Sequence, residues 1–185
     1  IKQASVKGFA KLRIGYWDIE TLGLEHDLPI CTIGLTVKTY GASRERYVIQ
    51  VGETSAIDDV TVVCVKDETE LLNTFSDMIK KLDIDGLVTY NGTNFDEDFV
   101  IERAIRLKAE RFFYCSRFAF KKCFRKKIPL SSSGMGDNEL TIFDTSGICH
   151  FDWYIKFKIE DKEPSYKLNY YGQKYCNSGK DPVNY

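Results

Sequence analysis

The order of strand-like and helix-like segments constrains this chain more than any other feature. Residues 12–21 (LRIGYWDIET), 31–41 (CTIGLTVKTYG), 44–52 (RERYVIQVG) and 59–67 (DVTVVCVKD) are rich in Val, Ile, Thr and aromatics, with Gly, Asp or Ser between them. The gaps between the last three are short, which favours antiparallel neighbours. Residues 67–83 (DETELLNTFSDMIKKLD) then place Leu71, Leu72, Phe75, Met78, Ile79 and Leu82 at helical spacing, with acids first and lysines last, as the helix dipole prefers. Residues 85–91 (DGLVTYN) predict a short buried strand. Residues 96–109 (DEDFVIERAIRLKA) predict a second amphipathic helix with Val100, Ala104 and Leu107 on one stripe. An antiparallel set followed by helix, strand and helix predicts an α/β fold, a mixed sheet with flanking helices.

Beyond residue 109 the pattern loosens. Residues 111–130 (RFFYCSRFAFKKCFRKKIPL) are basic and aromatic, and 130–139 (LSSSGMGDNE) predict a flexible loop. A strand at 140–144 (LTIFD), a short helix at 151–159 (FDWYIKFKI) and a helical segment at 165–176 (SYKLNYYGQKYC) follow. There is no internal repeat and no low-complexity tract.

The 185 residues suffice for one domain with a sizeable core and are too few for two large ones. Lys and Arg number 26 and Asp and Glu 27, a net charge of -1, so attraction to a polyanion must come from a local patch. The six cysteines are scattered without a CxxC pair, which predicts reduced thiols in an intracellular protein rather than a zinc site or disulfide framework. No run of 18 apolar residues and no leader sequence is visible, so no membrane contact is expected. The chain starts with Ile1 rather than Met, and the expectation is a piece of a longer protein.

Two carboxylates interrupt the first strand. In a strand, residues i and i+2 share a face and stand about 6.5 to 7 Å apart along the chain, so Asp18 and Glu20 form one acidic patch. Their repulsion on a covered sheet is relieved by a cation, and Mg²⁺ or Mn²⁺ suits such hard oxygen ligands; on a wet edge both acids are simply solvated. A third acid, Asp96, follows a buried strand and a short Gly/Asn turn at the mouth of the next helix, where open α/β sheets place their chemistry. It is equally placed to cap that helix. Glu97 and Asp98 complement the helix dipole, and Asp144 and Asp152 suit turns or caps.

The basic stretch carries Arg111, Arg117, Lys121, Lys122, Arg125, Lys126 and Lys127 interleaved with Phe and Tyr. Such a pattern suits a funnel for single-stranded DNA, with Lys121 and Lys122 as candidate phosphate contacts; it also suits a helix with one solvated face.

DIET, followed some 70 residues later by YNGTNFD, resembles the first and second exonuclease motifs of the family B DNA polymerases. SYKLNYYGQKY and the GKDPV after it resemble the segment that leads toward that family's third motif. The wording is similar to polymerases of large DNA viruses and eukaryotes. The resemblance implies an RNase H-like α/β domain of the DEDD exonuclease type at 10–185, ending before its third motif, with 1–9 a remnant of a preceding region. It implies a 3′–5′ proofreading exonuclease in a DNA-directed DNA polymerase of DNA replication. The remaining polymerase domains would lie in the same chain, working in a host nucleus or at a viral replication site.

By the same resemblance Asp18, Glu20 and Asp96 hold two divalent ions, Mg²⁺ or Mn²⁺, and act in catalysis. Thr21 and Leu22 lie against the terminal base and sugar, and Asn91 and Phe95 seat the single-stranded 3′ primer end. Phe95 also suits the core, as a Phe between strand and helix commonly does. Two features depart from the family. No Tyr is followed four residues later by an Asp (Tyr16 is followed by Glu20, already assigned), and neither His26 nor His150 has an Asp five residues on, so the fourth carboxylate of the metal site is absent from this chain. Ile148 stands where the family usually has Arg after the glycine at position 147. A catalytically incomplete module of the same fold that only binds single-stranded DNA is the alternative, and a free-standing RNA exonuclease a third.

Overall fold

The computed structural model describes residues 8, 10–23, 25–118, 120–132 and 136–179. Most of the expected remnant at 1–9 and of the GKDPV stretch lies outside the described residues. The chain forms β1 (Arg13–Thr21), β2 (Ile30–Thr39), β3 (Arg44–Val51), β4 (Thr61–Val65), α1 (Glu68–Lys81), β5 (Gly86–Thr89) and α2 (Asp96–Arg106). After a 3₁₀ segment at Glu110–Tyr114 come β6 (Phe124–Ser132), β7 (Gly136–Asp144), β8 (Cys149–Asp152), α3 (Trp153–Glu160) and α4 (Leu168–Cys176). Six strands pair in the order β4-β3-β2-β1-β5-β8, and β6-β7 form a separate hairpin. The sheet is mixed, with flanking helices, as the RNase H-like expectation requires.

Four strands, β3, β4, β5 and β8, run in the direction of β1 and only β2 opposes it. It pairs antiparallel with β2 and parallel with β5, and β5 in turn pairs parallel with β8. β2 and β3 are antiparallel as expected, but β4 is parallel to β3, against the antiparallel expectation. The register runs from Tyr47↔Thr61 to Val51↔Val65, so the link at 52–60 returns along the length of the pair. Nine residues reach about 30 Å when extended, and five paired residues span only about 16 Å. A short link therefore sufficed without a helix. The loop expected at 130–139 is also largely strand, with Leu130 opposite Asn138 and Ser132 opposite Gly136. Nor is the basic stretch a helix face: it is 3₁₀, irregular and then β6.

Alternation builds the core. Trp17 and Ile19 of β1, Ile33, Leu35 and Val37 of β2 and Ile49 of β3 are buried on the face that meets α1 and α2. Leu71, Leu72, Phe75 and Ile79 of α1 and Phe99, Val100, Ile101 and Ala104 of α2 close the layer, with Trp17 and Phe75 rings 5.1 Å apart. α1 begins where Asp67 accepts a hydrogen bond from the Glu70 N–H at 2.9 Å. α3 and α4 associate through aromatic rings, Phe157 on Tyr171 at 3.8 Å between centroids.

One ion pair lies inside the layer. Glu68 Oε1 accepts from the Ile30 N–H at 2.9 Å and from Arg103 Nε at 2.8 Å, and Glu68 Oε2 meets the same guanidinium at 2.5 Å. Arg103 also donates to the Asp27 carbonyl at 2.9 Å. The pair ties α1, α2 and the start of β2 to the segment leading out of β1. All six cysteines are free thiols, and no helix among the described residues is long and apolar enough to cross a membrane.

Candidate active site

The acid pair on β1 follows from the strand's period of two. Trp17 and Ile19 enter the core, which leaves Asp18 and Glu20 on the opposite, exposed face. Because β5 runs parallel to β1, the chain leaves β5 at the same edge of the sheet that carries the acids. It then turns through Asn91, whose φ of 68° is left-handed and tolerated by Asn. Gly92 packs on Thr89 so closely that an added Cβ would lie 2.5 Å from its side chain. That tight turn delivers Asp96 to the edge.

Asp96 is not the cap of α2. The N-cap is Phe95, with no side-chain hydrogen bond, and Asp96 is the first helical residue, only 3% exposed. Its Oδ1 faces β1 and accepts from the Ile19 N–H at 3.4 Å. Burial pushes its pKa up to about 7, helped by the negative charge of Asp18 and opposed by the Ile19 N–H. The two carboxyl groups lie within hydrogen-bonding reach of each other, so each raises the cost of a negative charge on the other.

A cleft of about 510 Å³ lies over this edge, lined by Asp18, Ile19, Glu20, Thr21, Leu22, Gly23, Tyr90, Asn91, Phe95 and Asp96. Seven residues singled out from the sequence thus share one cleft. Thr21 follows a register shift in the β1-β2 ladder, and its hydroxyl donates to the Gly23 carbonyl at 2.5 Å. Leu22 stands 69% exposed at the lip. The Asn91 amide oxygen accepts from Asn94 Nδ2 at 2.9 Å. Phe95 is partly buried against the core, 5.4 Å from the Phe99 ring, and also borders the cleft.

Lys121 and Lys122 are not at this cleft. Lys122 borders a separate groove with Ile105 and Lys108, by the far end of α2, an 11-residue helix about 16 Å long. Most of the stretch is neutralised locally. Arg111 meets Asp77, Arg117 meets Asp83 and Asp85, Lys122 meets Glu110, Arg125 meets Asp98 and Glu102, Lys126 meets Asp144, and Lys127 meets Glu139. Among the described residues Lys121 alone of the seven has no acid beside it.

Sequence reasoning missed Tyr90, whose hydroxyl donates to the Tyr166 carbonyl at 2.7 Å and so links the cleft to the segment before α4. It also missed how deeply Glu97 is buried, 2% exposed, with Oε2 accepting from the Phe143 N–H at 2.6 Å. A first-turn acid looks the same in sequence whether it faces solvent or core.

The raised pKa of Asp96 has a consequence for the metal-free protein. Its unfolded value is about 4, so the folded state binds the extra proton between about pH 4 and 7. The stabilisation linked to that proton is fully present below pH 4 and lost as the pH rises through 7. Asp96→Asn is expected to exceed the parent in stability by roughly 2 kcal/mol at pH 8 in metal-free buffer. Thermal melts across pH 4 to 8 check this; equal pH profiles would count against a strained Asp96.

The fold and cleft define a class: an α/β domain with a mixed sheet whose central strands carry a cleft lined by carboxylates. Comparison with known sequences gives the family. Residues 1–170 match the exonuclease domain of DNA polymerase family B, and the chain belongs to that family. It is 33% identical over 144 residues to a DNA polymerase of Pyramimonas orientalis virus, covering 76% of this chain and 12% of that protein. It is 27% identical over 185 residues to the DNA polymerase delta catalytic subunit of Plasmodium falciparum, covering 95% and 17%. Against the delta catalytic subunit of Candida albicans the figures are 30% over 183 residues, 94% and 18%. The chain spans less than a fifth of the length of these relatives.

Proposed function

We propose that this region is the 3′–5′ exonuclease of a DNA polymerase used in DNA replication, removing mispaired 3′-terminal nucleotides as deoxynucleoside monophosphates. The observation that carries the reading is the meeting of Asp18 with buried Asp96 at the sheet edge, with Glu20 on the same cleft wall. Hard oxygen donors that repel one another fit a divalent cation, Mg²⁺ or Mn²⁺, and Asp18, Glu20 and Asp96 would hold it. The chemistry that a pair of such ions supplies when bound is activation of the attacking water and relief of charge on the leaving 3′ oxygen.

The chain's own residues do the rest. Leu22 at the lip and Thr21 behind it bound the space for the last sugar and base, and the Phe95 edge offers an apolar wall for a frayed base. Asn91, which lines the same cleft, offers its side-chain amide to the single strand in this reading. Residues 10–185 are the exonuclease unit in this reading, 1–9 belong to the region before it, and the other polymerase domains belong to the same protein.

A second reading rests on one observation. Among the described residues, no three His, Cys, Asp or Glu side chains close into a group ready to hold an ion. A module that only binds single-stranded DNA fits that fact. The two part on a mismatched primer–template given to the full-length protein with Mg²⁺. The exonuclease reading expects mononucleotides released from the 3′ end and none in EDTA; tight binding with no release would favour the binder.

Lys121 is the cation of the basic stretch left for a phosphate. Lys121→Glu is expected to weaken single-strand binding several-fold and to reduce the slope of log affinity against log salt by about 0.7. Lys122→Glu, at a site already paired with Glu110, should change both less. Fluorescence anisotropy at several salt concentrations reads both, and unchanged slopes would remove the stretch from the DNA path.

A further inference from the structure

The segment that carries Asp96 is held from β8 at both ends. Asp152, the last residue of β8 and 7% exposed, accepts at Oδ1 from the Asn91 N–H at 2.8 Å and the Tyr154 N–H at 2.9 Å. Its Oδ2 accepts from the Thr93 N–H at 3.1 Å and the Thr93 hydroxyl at 2.7 Å. Capping α3 needs only one of these four bonds. The other three reach across to the turn between β5 and α2.

Two positions earlier on the same strand, the His150 ring lies 3.2 Å from Glu97 Oε1, and its other nitrogen lies 2.6 Å from the Thr145 hydroxyl. Asn91 and Thr93 are thus pinned by Asp152, and Glu97 by His150, with Asp96 between the pinned points.

We infer that Asp152 is a positioning residue for the acidic cleft: its carboxylate sets the turn at 91–95 and through it the place of Asp96, without touching substrate. This rests on the exonuclease reading for its kinetic part only. The chemistry explains why a carboxylate is needed. Two acceptor oxygens without a proton meet four donors, whereas an amide would turn an NH₂ group toward backbone N–H groups. A substituted outer partner of a metal-holding acid typically costs 10- to 100-fold in metal affinity or activity.

The test uses the full-length protein with Asp152→Asn, Thr93→Val and Thr93→Ser. Two quantities are read: Mn²⁺ affinity by calorimetry, and kcat and KM for release of 3′-terminal nucleotides from a single-stranded oligonucleotide, each normalised to folded protein by circular dichroism. Asp152→Asn should weaken Mn²⁺ binding and lower kcat, each about 10- to 100-fold, with KM within twofold. Thr93→Val should lose several-fold in both, and Thr93→Ser, which keeps the hydroxyl, should match the parent. If Asp152→Asn does not fold, the Thr93 pair decides. Parental Mn²⁺ affinity and kcat per folded molecule in both Asp152→Asn and Thr93→Val would overturn the inference. A parent that binds Mn²⁺ but releases no nucleotide would overturn the exonuclease reading instead, and the Mn²⁺ arm would still judge Asp152.

Discussion

Asp18→Ala should lower metal-dependent excision by about 10³-fold, the rate equivalent of roughly 4 kcal/mol of transition-state stabilisation. The size follows from position. Burial and the neighbouring charge of Asp18 raise the pKa of Asp96 to about 7, so the two acids face one place in the cleft. Removing Asp18 takes away one oxygen donor and lets Asp96 relax toward an ordinary carboxylate. The fold should survive, because Asp18 lies on the exposed face of β1 while Trp17 and Ile19 carry the packing. Single-turnover excision with labelled primers checks it. A loss under tenfold would mean that Asp18 does not serve the chemistry.

Glu68→Ala should cost about 3 to 5 kcal/mol of stability. Glu68 and Arg103 are 9% and 8% exposed, and the substitution leaves a guanidinium buried without its partner. The Ile30 N–H loses its acceptor as well. Replacing both partners by Leu and Met should recover much of the loss, since two well-packed apolar groups need no charge compensation. Urea denaturation of the single and double variants reads both values; a single-variant loss below 1 kcal/mol would show that water reaches the pair. The damage should extend to the cleft, because Arg103 also holds the Asp27 carbonyl beyond Leu22.

Local periodicity carried the legible part of this molecule. The alternation through Trp17, Asp18, Ile19 and Glu20 placed the two acids together, and the 3.6-residue stripe of α1 placed Leu71, Phe75 and Ile79 in the core. The turn chemistry of YNGTNFD placed Asp96 at a helix start. What periodicity could not show were facts set by distant partners. The direction of β4 depends on how the 52–60 link crosses the sheet, which its nine residues, mostly small or acidic, leave open. The cations of the basic stretch read as a common patch because the acids that pair with Arg111, Arg117 and Arg125 lie 23 to 34 residues away. Asp152 read as a cap, which it is for α3; its hold on Asn91 and Thr93 spans 61 and 59 residues.

The proposed exonuclease requires that the cleft lined by Asp18, Glu20 and Asp96 take a divalent cation. Calorimetric titration of Mn²⁺ into the metal-free full-length protein at pH 8, beside Asp18→Ala shown to be folded, tests that most directly. Saturable binding in the parent that the variant loses is the predicted result. Equal binding in both proteins would place the cation elsewhere and contradict the account.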